Sequence, residues 1–542
     1  MLHILYFLIF SIFLFLIGRG FVILMHNIFK IQFNDKNEIF NIPIFYFYQL
    51  FGLFYIGNFS FIYNFISKNN SVKFYFFLFL ILFLNLKNKL NINLDITNAI
   101  NFVALPSILS FSSVTIGFAY DAGLYHLNTQ QWIRESNVVF GLSNLHFRYG
   151  FSSILDYISS IFWINNNFDF LHFTNLAFIS SFIGIISIAI IKKITPVLSM
   201  SSLSIVIFGI LDNFGKGGGR NGFIDIESVT KQDTPFGIIF YISNIFIVYC
   251  IFKRKASDFE ILTLSLLTVF GIQLRIFGSI TLLFLIYLIF EIRNFKFRLF
   301  IPSFLLGVLW LLKNIFVSGC LLYPVEITCF GNLSWYNSES AFLEMAELKN
   351  FHIGYSIGTP IAEWFTLWSS KEINGNVLFN FFIAIIFLAI LFLFFGKRNT
   401  IKINRRANTF IYVYLVFIIC LWIVTSPGIR LGIGIFLFII GMIGSRFESL
   451  KFNLQNYKTY MYLLIFMSTV LIPNIQNYTT VMKNPLIYNK ISPAEVVYVP
   501  KDGYGVLPEN GSQCWINIEC VQNTKKIIYL EDGYYKLFKV EN

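Results

Sequence analysis

The chain has 542 residues, 56% of them hydrophobic and 13% charged, with a formal net charge of +12. Soluble domains carry about 25% charged residues. The mean hydropathy of +0.69 and recurring apolar runs of about 17 residues or more therefore exclude a soluble globular enzyme and imply a polytopic membrane protein. The basic excess fits cytoplasmic loops under the positive-inside rule, so nucleic acid is not expected as a partner.

The first apolar run, 1–25, is too long for a signal peptide and no small-residue cleavage site follows it, so it reads as a span. Fourteen transmembrane helices are expected in all, near 2–25, 43–66, 72–87, 98–118, 171–191, 195–211, 235–252, 257–272, 274–291, 299–317, 377–396, 408–425, 430–445 and 457–473. The fold class is all-α. Lys192 and Lys193, Lys253 to Lys255, Arg293 with Lys296 and Arg298, Lys397 to Arg406, and Arg446 with Lys451 occupy alternate connections, which should be cytoplasmic. The loops 119–170, 212–234 and 318–376, the turns at Gln273–Arg275 and Ser426–Arg430, and a tail from 474 to 542 then face outward. Residues 1–473 form the transmembrane domain in this reading, and the tail carries short strand-like runs.

The first outer loop holds the densest chemistry. Read as a helix from Asp121, it sets Asp121, Tyr125, Asn128, Trp132 and Glu135 on one face. Asp121 directly follows a span, where it either serves as a general base or cation ligand or caps the helix. His126 and His146 lie in the same loop without HxH or HxxxH spacing, so no metal site is expected from them. Arg148 suits bidentate recognition of phosphate, or snorkels at the interface.

The next outer loop, Asp212 to Gly222, is rich in glycine and carries Arg220. It lacks the Gly-Lys-Ser/Thr of a P-loop. Asp233 sits at the boundary of the following span, as a second site carboxylate or another helix cap. Arg275 and Arg430 occupy the outward turns. Arg148, Arg220, Arg275 and Arg430 thus form a candidate anion-binding set. Lys313 lies within an apolar span, where a charge marks a site or snorkels. Cys320 with Cys329, and Cys514 with Cys520, fall in outward regions where each pair could close a local disulfide.

The block Asp121-Ala-Gly-Leu-Tyr-His126, Trp132 and Gly141-Leu-x-Asn-Leu-His146-x-Arg148-x-Gly150-Phe-x-Ser153 resembles the signature of a family of large bacterial membrane proteins associated with surface-polysaccharide genes. Ser318 to Pro324, Thr425 to Arg430 and Gln513-Cys-Trp515 extend the resemblance. Its architecture is similar to the GT-C class of glycosyltransferases, which use polyprenyl-phosphate sugars. The resemblance implies a transferase at the outer face of the bacterial cytoplasmic membrane. Its donor would be a lipid-linked sugar and its acceptor a glycan or lipid. Asp121 would be the catalytic carboxylate, and Tyr125, His126, Trp132, Glu135, His146, Asp233 and the four Arg would bind substrate. No cofactor is expected beyond a possible divalent cation. A polysaccharide-repeat polymerase and a lipid-linked glycan transporter are the alternatives.

Overall fold

Runs of Ile, Leu and Phe pair every backbone donor and acceptor internally when they coil, which is what a segment crossing hydrocarbon requires. A computed structural model describes residues 2–30, 35, 37–88, 90, 95–114, 116–163, 166–212, 229–292, 296–353, 359–398, 404–425, 427–451, 457–467, 479, 482–484, 490–532 and 534–541. These residues form an all-α membrane protein with a few two-stranded ribbons.

Among the described residues, seven helices are long and apolar enough to cross a bilayer: Leu2–Phe29, Ile96–Ser113, Asp169–Ile191, Asp233–Lys253, Ile301–Ser318, Val377–Phe395 and Arg405–Thr425. Shorter apolar helices run at Val72–Leu86, Pro196–Leu211, Ile276–Ile292 and Ile429–Ser445. The expectation of fourteen spans is corrected accordingly. The stretch expected at 43–66 opens with a strand and a 3-10 turn, which leaves 17 helical residues at Tyr48–Asn64. The stretch at 257–272 becomes a 17-residue helix, Asp258–Leu274. The last is helical over Tyr457–Phe466, and its remainder from 468 lies outside the described residues. Hydropathy registers apolar runs but not where local turns shorten them.

Helix α1 (Leu2–Phe29) crosses α2 (Tyr48–Asn64) at two glycines. A Cβ on Gly18 would lie 1.6 Å from the Tyr48 carbonyl oxygen, and one on Gly52 would lie 2.2 Å from that of Leu14. Any side chain there would force the helices apart, as at small-residue crossings in membranes generally. Near this crossing Arg19 is fully buried. Its Nε and Nη2 each donate to the Asp35 carboxylate at 2.9 Å, and the Tyr48 hydroxyl adds a third bond to Asp35 at 2.7 Å.

The 119–170 loop carries a short helix, α3 (Leu127–Glu135). Two spans then form the centre: α4 (His172–Ile191) is buried along its whole length, and α5 (Asp233–Lys253) along all but its last residue. Helix α6 (Asp258–Leu274) packs beside them with a Ser257–Glu260 capping box. The outer spans, α7 (Ile301–Ser318) among them, leave Phe304, Leu305, Phe379, Phe382, Val413 and Val416 exposed as a lipid-facing rim. Helix α8 (Ser338–Ile353) lies in the loop after α7.

The tail is small and β-rich. Strands β1 (Ile527–Asp532) and β2 (Tyr535–Val540) form an antiparallel hairpin, and Tyr498–Pro500 pairs with Val506–Pro508. Both pairs left open by the sequence are disulfide-bonded, Cys320–Cys329 and Cys514–Cys520, whereas Cys250 and Cys420 are free.

Candidate functional site

Asp121 stands at the start of a π-helical turn, Ala122–His126, that leads into α3, and its side chain makes no capping hydrogen bond. The carboxylate instead pairs with Lys231, close to the start of α5. Burial alone would raise the Asp121 pKa. The Lys231 ammonium outweighs it, with His126 and Arg430 adding to the effect, so the carboxyl is held below its ordinary value.

Two residues beyond Lys231, Asp233 begins α5 and is buried. Its Oδ1 accepts from Arg275 Nη2 at 2.5 Å, and its Oδ2 lies 3.7 Å from Arg430 Nε. Arg275 reaches it from the turn after α6, Arg430 from the 3-10 turn Ile429–Gly432. Four segments remote in sequence thus bring Asp121, Lys231, Asp233, Arg275 and Arg430 together. Arg275 Nη1 is buried there without a hydrogen-bond partner among the described residues.

Tyr125, one turn along, links this cluster to a second. The Arg148 guanidinium lies 5.8 Å from the centre of the Tyr125 ring. Arg148 also pairs with Glu344 at 3.4 Å and, more closely, with Glu347, both on α8. Glu344 is buried and neither carboxylate oxygen accepts a hydrogen bond from the described residues. Burial raises its pKa to about 7, with Glu347 and Asp121 pushing the same way and Arg148 opposing. Burial also raises the Tyr125 phenol, and Asp121 adds to that.

The other expected site residues sit elsewhere. His126 turns inward, with Nδ1 3.2 Å from the buried Asp156 carboxylate. Gln130 bonds the same oxygen and receives Trp163 Nε1–H at 2.9 Å, which makes a packed polar network under the loop. His146 accepts the Arg148 backbone N–H at 3.0 Å and stacks on Phe147. Burial, reinforced by Arg148, lowers its pKa to about 3, so it is neutral at physiological pH. Trp132 is buried against Phe538 of β2, and Asn128 donates to the Asn517 carbonyl. Glu135 is exposed and bonded by Gln131. Arg220 lies outside the described residues. Lys313 is fully buried with its ammonium 3.7 Å from the centre of the Trp310 ring, so it does not snorkel.

The single stripe expected from Asp121 to Glu135 is therefore divided. A regular α-helix would have aligned the five residues, but the π turn inserts extra backbone and rotates the residues beyond it. Asp121 and Tyr125 face the charged cluster, while Asn128 and Trp132 face the tail. The tail also grips the turn itself. Trp515 N–H donates to the Gly123 carbonyl at 2.8 Å, and Gln513 donates to the Tyr120 carbonyl at 2.8 Å. A Cβ on Gly123 would meet the Trp515 ring at 2.6 Å, so only glycine admits this contact.

Residues 1–437 match a family model described as "Domain of unknown function (DUF8201)". The chain belongs to this family. No curated protein and no solved structure matches it. The matched region holds Asp121, Arg148, Lys231, Asp233, Arg275, Glu344 and Arg430, and stops short of the tail. Sequence reading overlooked Lys231, Glu344 and Glu347. Lys231-Gln-Asp233 at the mouth of a span was the available signal for the first, and the acidic pair at a helical spacing of three for the others.

Among the described residues no cluster of three or more His, Cys, Asp or Glu has the arrangement of a metal site. What the charged cluster offers is a set of buried or half-buried cations held at rest by carboxylates. An incoming phosphate can compete for those cations, since guanidinium and ammonium bind its oxygens strongly.

Proposed function

We propose that the chain is a GT-C-like membrane glycosyltransferase that uses a polyprenyl-phosphate sugar at the outer face of the bacterial cytoplasmic membrane, in surface-glycan assembly. The observation that supports this reading best is the convergence of Lys231, Arg275 and Arg430 on Asp121 and Asp233, with Arg148 and Glu344 adjoining through Tyr125. A transfer site needs cations for the donor phosphate and a carboxylate within reach of the acceptor. The two disulfides in the outward loop and tail support the orientation, because such bonds persist in oxidising compartments.

In this mechanism the donor phosphate draws Lys231 and Arg430 towards itself. Asp121 loses its neutralising partner, its pKa rises, and it becomes able to accept a proton. The acceptor hydroxyl oxygen attacks the anomeric carbon, and the bond from that carbon to the phosphate oxygen breaks. Polyprenyl phosphate departs with the electron pair, and the hydroxyl proton passes to the Asp121 carboxylate. Arg275, anchored by Asp233, holds the cationic wall in place. The neutral His146 and the inward His126 position the loop and take no proton in this scheme.

The test is turnover of a polyprenyl-phosphate sugar in membranes carrying Asp121→Asn or Arg430→Ala. Turnover falling about 100-fold or more is expected for Asp121→Asn, the scale of a lost acid–base group. Normal surface polysaccharide from a well-expressed Asp121→Asn strain overturns the proposal.

A further inference from the structure

A cavity lies away from the charged cluster, beyond the far end of α3. It encloses about 830 Å³, within the range of small-ligand sites. Its walls are Ile9, Phe10 and Phe13 of α1 with Phe79 and Phe162, and its mouth carries Arg134 and Glu135. Ile9 and Ile12 are 54% and 59% exposed on the same side of α1, so the apolar end is continuous with the lipid-facing surface. The polar end belongs to the loop that follows the Ile96–Ser113 span.

Two charges sit side by side at that mouth. Arg134 is buried, with Nη1 donating to the carbonyls of Ser160 at 2.7 Å and Trp163 at 3.2 Å. Its guanidinium lies 5.1 Å from the centre of the Trp163 ring. It makes no close ion pair among the described residues; the neighbouring Glu135 and the Tyr75 hydroxyl are the groups that act on its charge. Glu135 is exposed and, among the described residues, accepts a hydrogen bond from Gln131. An anionic headgroup alone would meet Arg134 favourably and Glu135 unfavourably. A headgroup with a phosphate and, a few atoms further out, an ammonium answers both.

We propose that this cleft binds one zwitterionic phospholipid of the bilayer. One chain lies along Phe10, Phe13 and Phe79, the phosphate at Arg134 and the ammonium at Glu135. The lipid completes the packing between α1 and the outer loop and takes no part in transfer. This assignment does not rest on the glycosyltransferase reading, since none of its residues belongs to the charged cluster.

The full-length protein, purified in detergent, is equilibrated with phosphatidylethanolamine, phosphatidylglycerol or a polyprenyl phosphate. Retained lipid is then counted by native mass spectrometry. Phosphatidylethanolamine should be retained up to about fivefold over phosphatidylglycerol, the scale of one exposed ion pair. Glu135→Gln should abolish that preference, and Ile9→Trp, which fills the groove from an exposed position, should abolish retention. Equal retention of both phospholipids, a preference for phosphatidylglycerol or polyprenyl phosphate, or retention unchanged by Ile9→Trp overturns the proposal.

Discussion

Replacing Asp233 by Asn removes the carboxylate from between two guanidiniums while leaving the side-chain shape intact. Among the described residues two carboxylates, Asp121 and Asp233, face three cations, Lys231, Arg275 and Arg430. The substitution adds one net positive charge in a place where Asp233 is 6% and Arg275 13% exposed. Two unit charges about 4 Å apart interact by about 4 kcal/mol at an effective dielectric of 20, and breaking a buried pair costs about 3–5 kcal/mol. Arg430 is more exposed and more distant, so most of the loss belongs to Arg275. A destabilisation of about 3 kcal/mol is expected. An unfolding entropy of about 2.1 cal/mol/K per residue over 542 residues converts that to a fall in Tm of about 3 °C. Thermal unfolding in detergent measures it, with Arg275→Gln and the double variant completing a cycle. The pair should show a coupling of about 2 kcal/mol. Wild-type melting of Asp233→Asn, or strict additivity in the cycle, refutes the account of the cluster as mutually dependent.

Glu344 gives a pH signature. Its folded pKa of about 7 lies above the ordinary carboxyl value, so the folded state holds the proton more tightly. Stability should fall as pH rises from about 4.5 to 7, by up to about 3 kcal/mol. Glu344→Gln should flatten that slope and melt above wild type at pH 8; a slope unchanged by the substitution refutes the assignment. Gly123→Val should lift Trp515 from the loop and expose the tail to protease at a dose the parent survives, and equal resistance would count against the contact. Maleimide labelling of the denatured protein should modify two cysteines without reductant and six with it, as the two disulfides require. Four or more reactive thiols before reduction would contradict them.

Much of the cluster was legible because membrane topology is written in charge. The alternation of basic loops collected Arg148, Arg275, Arg430, Asp121 and Asp233 on one side before any packing was considered. Their grouping into pairs was not legible. Arg148 takes Glu344 and Glu347 because α8 folds back over the loop, and local sequence does not encode which face of a loop helix docks. Trp132 leaves the expected stripe for a related reason. Its burial depends on β2, some four hundred residues away, and on a π turn that hydrophobic periodicity does not reveal. The roles of His126 and His146 under the loop depend on Asp156 and on the backbone of Arg148, which only the fold supplies.

The hold of the tail on Gly123 and Tyr120 has a temporal side. Ribosomes add about 5–20 residues per second, so Trp515 emerges about 20–80 s after the loop it grips. During that interval Asp121 and Tyr125 are already inserted beside the first spans, yet the backbone that aims them has no outer support. Under the proposed orientation, the tail must also cross the bilayer before it can close on them. The clasp thus closes only after some four hundred further residues have been made, and a nascent chain stalled before Trp515 holds Asp121 and Tyr125 without it.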